Sequence, residues 1–237
     1  MLELRGIRKR YHSKTALEAI DLAVAEGESL VVLGPNGAGK TTLIKIMAGL
    51  MSPSEGRVLW GGRPAEGPGM GGEVFFLGHR NSLYNSLTVG ENLDFCRRLF
   101  EPTLNGGSAS IDDVLLEHGL LERRDDPVKE LSQGMKRRVA IARGFLTGAR
   151  LFILDEPFTG LDLRWRRAVL EKIRELRDAG RSLVLSTHLL QEGYELADRI
   201  AFLDRGRLLF VKDKRETSVR ELDGLFLSVA GERQCVP

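Results

Sequence analysis

Short apolar runs and longer amphipathic segments alternate along most of this chain, and their periods predict strands and helices. Alternating or continuous apolar residues predict strands at 2–11, 16–24, 29–33, 57–60, 74–77, 151–154, 182–186, 199–203 and 207–211. Helical periodicity predicts helices at 40–50 and at about 132–146, 163–179 and 189–197. The alternation of strands and helices indicates an α/β fold with a parallel sheet, and the early strand-only stretch indicates a small antiparallel β subdomain.

The segment from about 88 to 146 is mostly helical by pattern and lacks a buried strand, so we interpret it as a helical subdomain inserted in the α/β core. Two stretches, 61–72 and 102–110, are rich in glycine, proline and serine and are expected to be exposed, flexible connections. We assign 1–215 to one domain and 216–237 to a C-terminal tail, in which 225–229 has strand-like character.

Composition narrows the class of protein. The 237 residues are 42% hydrophobic and 29% charged, with a formal net charge of +2 and no uncharged apolar run of membrane-spanning length. We therefore expect a chain that neither spans a membrane nor is exported by the secretory route. The near-neutral charge argues against direct nucleic-acid binding, and the distant Cys96 and Cys235 argue against a disulfide framework or a zinc site.

The clearest motif follows the strand predicted at 29–33. The string Gly34-Pro-Asn-Gly-Ala-Gly39-Lys40-Thr41 fits G-x-x-x-x-G-K-[ST], and a strand before it and a helix after it are the context that supports phosphate binding. Glycines let backbone N–H groups converge on phosphate oxygens, Lys40 supplies a point charge, and the Thr41 hydroxyl is a ligand for Mg²⁺. The candidate ATP-binding residues here are Gly34, Pro35, Asn36, Gly37, Ala38, Gly39, Lys40, Thr41 and Thr42.

A second motif ends the strand predicted at 151–154 with two acids, Asp155 and Glu156. Taken alone, this pattern is typical of an ordinary exposed strand end before Pro157. Together with the phosphate loop it predicts phosphoryl transfer, in which Asp155 holds Mg²⁺ through water and Glu156 orients and deprotonates the attacking water.

A third motif, Leu131-Ser-Gln-Gly-Met135, opens the helix predicted at 132–146, with Ser132 at its N-cap. The order of a phosphate loop, a helical subdomain, this LS-x-G segment and a strand ending in Asp-Glu resembles the ATP-binding subunits of ABC transporters across nearly the whole chain. The resemblance implies the P-loop NTPase fold of an ABC ATPase, with a RecA-like core, and ATP and Mg²⁺ as ligands.

The resemblance also implies a site shared between two subunits. Ser132, Gln133 and Gly134 match the signature segment that contacts ATP bound on the opposing subunit, and Asp162 matches the loop that couples the two sites of a dimer. The implied partners are a second ATPase subunit, in a homodimer or a pair, and integral membrane permease subunits.

Two further positions take roles from the same resemblance. His188 follows the strand predicted at 182–186 and matches the switch histidine that contacts the γ-phosphate, so Glu156, His188 and Lys40 form the candidate catalytic group. Tyr11 matches the aromatic residue that stacks on adenine; a tyrosine at the edge of the core is the alternative.

Three features depart from the family pattern. Where the family places a glutamine, this chain has His79, a bulkier and titratable residue that we name as a third candidate metal residue beside Thr41 and Asp155. The signature reads LSQGM, so Gln133 and Met135 differ from the usual LSGGQ. The distance from the phosphate loop to the signature is also short, which implies a compact helical subdomain.

The strings at 76–80 and 87–93 are similar to the haem-exporter ATPase subunit of bacterial cytochrome c maturation, which also has histidine at the position of His79. We therefore expect an ATP-hydrolysing subunit, peripheral to the cytoplasmic face of the inner membrane, that drives export, with haem as one candidate cargo. A general exporter of small molecules, drugs or polysaccharide is one alternative. The other is a soluble ABC ATPase acting on nucleic acid or ribosomes, which the single cassette and near-neutral charge disfavour.

Overall fold

The computed structural model describes residues 1–65, 72–100 and 110–234. Side chains of the last helix are described only as far as Val229. The two connections predicted as flexible, 61–72 and 102–110, lie mostly outside the described residues. The described part of the first connection includes a short strand, Arg63–Pro64.

The first strands form an antiparallel sheet, as the alternating pattern predicts. It has the order β2-β1-β4-β5 and contains β1 (Leu2–Tyr11), β2 (Lys14–Val24), β4 (Glu55–Trp60) and β5 (Arg63–Pro64). Leu2, Leu4 and Ile7 are buried, while most of the residues between them are partly or fully exposed. One face of this sheet therefore packs on the core, which confirms the predicted antiparallel subdomain.

The larger sheet contains β3 (Ser29–Leu33), β6 (Val74–Leu77), β7 (Leu151–Asp155), β8 (Ser182–Thr187), β9 (Arg199–Asp204) and β10 (Arg207–Asp213). Its strand order is β10-β9-β3-β8-β7-β6. All pairings in this sheet are parallel except that of β9 with β10. Every residue of β3, β7 and β8 is buried, as expected for strands covered on both faces.

Alternate residues of β3 belong to two different apolar clusters. Leu30 and Val32 pack with the antiparallel sheet and α1 (Lys40–Met47), and Val31 and Leu33 pack with the helices of the opposite face. Those helices include α5 (Leu163–Asp178) and α6 (Leu190–Leu196). The parallel sheet is thus the middle layer of the core.

The predicted helical subdomain is confirmed. It contains α2 (Val89–Phe100), α3 (Ile111–Glu117) and α4 (Gln133–Phe145), with short 3₁₀ turns at Leu121–Arg123 and Val128–Glu130. A separate apolar cluster, which includes Leu93, Leu115 and Val139, holds these helices together. None of the helices in the described ranges is long and apolar enough to cross a membrane.

The strand-like character expected at 225–229 is wrong, because this segment lies within helix α7 (Val219–Gln234). Leu222 is fully buried in the apolar cluster that contains Val31 and Leu33 of β3, and Phe226 and Val229 pack against that cluster. The intervals of four and three residues place these three side chains on one helical face. The Phe226 ring meets Phe202 of β9 edge to face at 5.2 Å. The C-terminal segment therefore packs on the parallel sheet.

Candidate functional site

The phosphate loop spans 34–39, between β3 and α1, and its backbone leaves room only for glycine at two points. A Cβ on Gly34 would lie 2.1 Å from the carbonyl oxygen of Leu203. Gly39 has φ +107°, and a Cβ there would lie 2.7 Å from the carbonyl oxygen of Ala16. Close approach to β9 and β2 thus explains the glycines at the two ends of the motif.

Lys40 is folded back over this loop. Its side chain is 7% exposed, and its ammonium donates to the carbonyl oxygen of Gly34 at 2.7 Å and to that of Pro35 at 3.3 Å. The same nitrogen lies 3.6 Å from Oε1 of Glu156. A cation held at the N-terminus of α1 suits the binding of phosphate oxygens.

Asp155 lies at the end of β7 and is 1% exposed. Its Oδ1 accepts hydrogen bonds from the Ser186 hydroxyl at 2.6 Å and from the Thr41 hydroxyl at 3.3 Å. Its Oδ2 is buried and has no hydrogen-bond partner within the described part of the chain. An unpartnered carboxylate oxygen beside a threonine hydroxyl fits Mg²⁺, which takes few protein ligands and completes its shell with water and phosphate oxygens.

Within residues 1–65, 72–100 and 110–234 there is no group of three His, Cys, Asp or Glu side chains that could hold a metal by itself.

Glu156 has an unusual backbone for a non-glycine residue, with φ +51°. Its N–H lies 3.1 Å from both the carbonyl and the hydroxyl oxygen of Ser186. A left-handed residue of this kind costs of order 1 kcal/mol and persists only where the surroundings hold it. The carboxylate is 18% exposed, and its Oε2 lies 2.9 Å from Nδ1 of His188, a side chain that is 51% exposed.

These groups meet because β3, β8 and β7 are neighbours in the parallel sheet. Parallel strands present their carboxyl ends at one edge, where ligands of open α/β sheets bind. A cleft of about 840 Å³ lies at this edge. The candidate residues that line it are Tyr11, Asn36, Gly37, Ala38, Gly39, Lys40, Thr41, Thr42, His79, Glu156 and His188.

Tyr11 lies on the rim of this cleft and is 42% exposed. Its hydroxyl is 2.9 Å from the Met51 sulfur, and the Lys9 ammonium lies 5.4 Å from its ring centroid. The position is compatible with stacking on a base, and the role in adenine binding stays a prediction. Lys14, Arg205 and other residues that sequence reasoning did not name also line the cleft.

A second cavity of about 1130 Å³ adjoins the cleft and shares Thr41 and His79 with it. Asp155 and Gln133 also line this cavity, so the start of α4 faces the metal-binding candidates. The His79 side chain is exposed and lines both the cleft and the second cavity. Its assignment as a metal residue stays a prediction.

Ser132 and Asp162 have local roles within one chain. The Ser132 hydroxyl accepts from the N–H of Met135 at 3.2 Å and caps α4, and the Asp162 carboxylate accepts from the N–H of Trp165 at 2.9 Å and caps α5. Ser132 is exposed, and it is not among the described residues that line the cleft or the second cavity. Signature contact with a second subunit, including Gly134, and dimer coupling by Asp162 stay predictions.

Two residues that contact the candidate site were not named from the sequence. Ser186 supports both Asp155 and Glu156, and its signal is only its place at the end of β8 before His188. Arg137 of α4 is 3% exposed and donates to the backbone carbonyls of both Asp155 and Glu156. Its place in a Lys-Arg-Arg run gave no sign that it points inward.

Comparison with known proteins agrees with this geometry. The family model described as "ABC transporter" matches residues 17–159. The chain is 37% identical over 206 residues to the daunorubicin resistance ATP-binding protein DrrA3 of Streptomyces coeruleorubidus, covering 86% of this chain and 65% of that relative. It is 33% identical over 240 residues to the xylose/arabinose import ATP-binding protein XylG of Sulfolobus acidocaldarius, covering 97% and 95% respectively.

The solved structure of an ATP-binding subunit of an ABC transporter has the same fold, with a TM-score of 0.82 and 29% identity over 97% of this chain and 99% of that one. The haem-exporter resemblance stays a prediction, since the two relatives are named for drug resistance and sugar import. The phosphate loop, the Asp155-Glu156 pair at the end of β7 and the family match lead to one conclusion: the chain belongs to the ABC transporter family and carries its ATPase domain.

Proposed function

We propose that this chain is the ATP-binding and ATP-hydrolysing subunit of an ABC transporter and drives export through a separate membrane permease. The observation that carries the proposal is the placement of Glu156 between His188, at 2.9 Å, and Lys40, at 3.6 Å, in one cleft. A carboxylate held between a histidine and a phosphate-binding lysine is placed to act as a base at the γ-phosphate.

The roles in binding divide along the cleft. The backbone N–H groups at 36–39 and the ammonium of Lys40 hold the β- and γ-phosphates, and Tyr11 stacks on adenine. Thr41 and Asp155 would hold Mg²⁺, and the ion would neutralise the charge that develops during phosphoryl transfer. Support comes from the Thr41–Asp155 contact at 3.3 Å and from the unpartnered Oδ2 of Asp155 within the described chain.

Glu156 accepts a proton from the water that attacks the γ-phosphorus, and the bond from that phosphorus to the β,γ-bridging oxygen breaks. ADP and inorganic phosphate leave, and Glu156 returns the proton to solvent. His188 keeps the carboxylate oriented through Nδ1 and turns its other ring nitrogen toward the γ-phosphate. General-base catalysis of this kind is worth roughly 100-fold or more in rate.

The complete site is shared between two subunits. The Ser132–Gly134 segment of one subunit closes over the ATP of the other, in a homodimer or in a pair with a related subunit. The exposed Ser132 and the position of Gln133 on the second cavity support a contact made in trans. Closure on ATP then moves integral permease subunits, against which this chain binds at the cytoplasmic face of the cell membrane.

Export is the direction we infer, because the strings at 76–80 and 87–93 are similar to an exporter subunit and a relative is named for drug resistance. Haem is the candidate cargo that the same strings favour. A deletion strain tests it: loss of c-type cytochromes on a haem-stained gel supports haem export. If the deletion strain keeps its c-type cytochromes but becomes sensitive to a drug, the result supports a general exporter. If the deletion strain instead loses the ability to take up a compound, the result contradicts export.

The central test is ATP hydrolysis by the purified chain with Mg²⁺. Glu156→Gln should bind ATP, accumulate an ATP-bound dimer and lose turnover by roughly 100-fold or more. Glu171→Gln, which removes an exposed carboxylate of α5, is the matched control and should keep the parent rate. Equal turnover of Glu156→Gln and the parent contradicts the assignment of Glu156 as the base.

A further inference from the structure

The guanidinium of Arg137 makes five hydrogen bonds to residues in the described part of the chain. Nη2 donates to the carbonyl oxygens of Asp155, at 3.1 Å, and Glu156, at 2.8 Å, and Nε donates to that of Pro157 at 3.1 Å. Nη1 donates to the carbonyl oxygen of Gly78 at 2.7 Å and to the side-chain oxygen of Asn81 at 3.3 Å. One planar group therefore joins α4 to two separate segments, 155–157 and 78–81.

These five acceptors are neutral oxygens, so this interaction differs from a simple ion pair. Burial lowers the pKa of Arg137 to about 10, and the nearby carboxylates of Asp155 and Glu156 oppose that shift. The side chain stays charged at neutral pH, and its donors have the fixed geometry of a fork. A fork of this kind fixes the relative positions of the carbonyls that it contacts.

The segments that Arg137 joins carry the residues of the candidate active site. Glu156 lies in the first, and His79 lies in the second. The peptide of Glu156 has φ +51° and is held from two sides: Ser186 accepts from its N–H, and Arg137 donates to its carbonyl. Removal of the guanidinium frees one of these two restraints.

Arg137 also lies one helical turn after the start of α4, the helix that begins at the signature segment. A rotation of α4 therefore moves the signature segment and the guanidinium together. We propose that Arg137 is a positioning residue that couples the placement of α4 to the placement of the Glu156 carboxylate, so that hydrolysis requires α4 in this orientation. The inference rests on the proposed function, because it presumes that Glu156 is the base.

The same helix offers a matched control in Arg143. Its guanidinium donates to the carbonyl oxygens of Asn81, at 2.8 Å, and Ser82, at 2.8 Å. It thus ties α4 to the end of the second segment and to the residue that follows it, and its described hydrogen bonds do not include 155–157. A general loosening of α4 affects both arginines, whereas misplacement of Glu156 follows only from loss of Arg137.

The experiment compares Arg137→Gln, Arg137→Lys and Arg143→Gln in the full chain. For Arg137→Gln we expect kcat to fall roughly 10- to 100-fold, because a displaced base costs rate rather than affinity. The KM for ATP and the affinity for a fluorescent ATP analogue should change by less than about threefold, and an ATP-bound dimer should accumulate. Arg143→Gln should keep kcat within about threefold of the parent.

Arg137→Lys keeps the charge but places its donors on a single nitrogen, so it should recover only part of kcat. This variant also provides the measurement if Arg137→Gln does not fold, which thermal unfolding of each variant reveals. Equal losses of kcat in Arg137→Gln and Arg143→Gln, or a loss carried by KM alone, overturn the coupling. A parent chain without ATPase activity overturns the proposed function instead, so the two failures are distinguishable.

Discussion

His188 Nδ1 lies 2.9 Å from Oε2 of Glu156, although 32 residues separate the two in the chain. The pairing of Asp155 with Ser186 across β7 and β8 explains the contact, because the residues that follow each strand emerge at the same edge of the sheet. A histidine and a carboxylate in this relation form a pair that can orient and deprotonate water.

Ser132→Arg tests the composite site. An arginine at this exposed position should block contact with a second subunit and leave the nucleotide cleft of its own chain intact. In the Glu156→Gln background we therefore expect no ATP-dependent dimer by light scattering and nucleotide affinity within about twofold of the parent. Loss of binding by the monomer contradicts a contact made in trans.

The control for that variant must account for the lost helix cap, which costs about 1 kcal/mol. Ser110 provides it, because its hydroxyl caps α3 in the same helical subdomain by accepting from the N–H of Asp113. Ser110→Arg should lower stability to a similar extent and still dimerise with ATP. If both variants stay monomeric, destabilisation of the subdomain explains the effect.

Thr41→Ala tests the metal assignment. Its hydroxyl donates to Asp155, and its loss should weaken binding of a fluorescent ADP analogue roughly tenfold with Mg²⁺, or about 1.4 kcal/mol. With EDTA the affinities of Thr41→Ala and the parent should agree, and Thr41→Ser should behave like the parent. An equal loss with Mg²⁺ and with EDTA shows that the hydroxyl acts without the metal.

The buried imidazole of His118 should make the free energy of unfolding depend on pH. Burial lowers the pKa of this imidazole, whose Nδ1 donates to the carbonyl of Val114 at 2.8 Å. Because the unfolded chain then binds the proton more readily, this contribution to stability is complete above the unfolded pKa of about 6.5 and is lost as the pH falls below it. The slope reaches at most about 1.4 kcal/mol per pH unit.

His118→Gln removes that titration. Urea unfolding from pH 7.5 to 5.5 should show a smaller loss of unfolding free energy for His118→Gln than for the parent, whatever their absolute stabilities. Identical slopes for the two proteins exclude His118 as the source of acid destabilisation.

Leu222→Ala tests whether the C-terminal helix is part of the fold. Leu222 is 0% exposed in the cluster beneath α7, so truncation should lower the free energy of unfolding by about 2–4 kcal/mol. Leu227→Ala changes the same residue type on the same helix at a position that is 66% exposed, and its effect should stay within about 0.5 kcal/mol. Equal effects indicate that α7 does not pack as described.

The amino-acid sequence alone determined the features that depend on local spacing. The phosphate loop, the Asp155-Glu156 pair at the end of a strand and the alternation of strands with helices are visible in neighbouring residues, because a loop with fixed glycines and a strand with period two are local structures. These patterns were enough to predict the α/β class, the antiparallel subdomain and the helical subdomain.

Only the tertiary structure decided which distant residues touch. Ser186 meets Asp155 and Glu156 through strand register. Arg137 turns inward and donates to the carbonyls of Asp155 and Glu156, contacts that join residues far apart in the chain. The apolar run at 225–229 predicts a strand, but it lies in α7, where Leu222 and Phe226 occupy one helical face against the cluster that contains Phe202. Short apolar runs satisfy both periods, and packing against a partner surface decides between them.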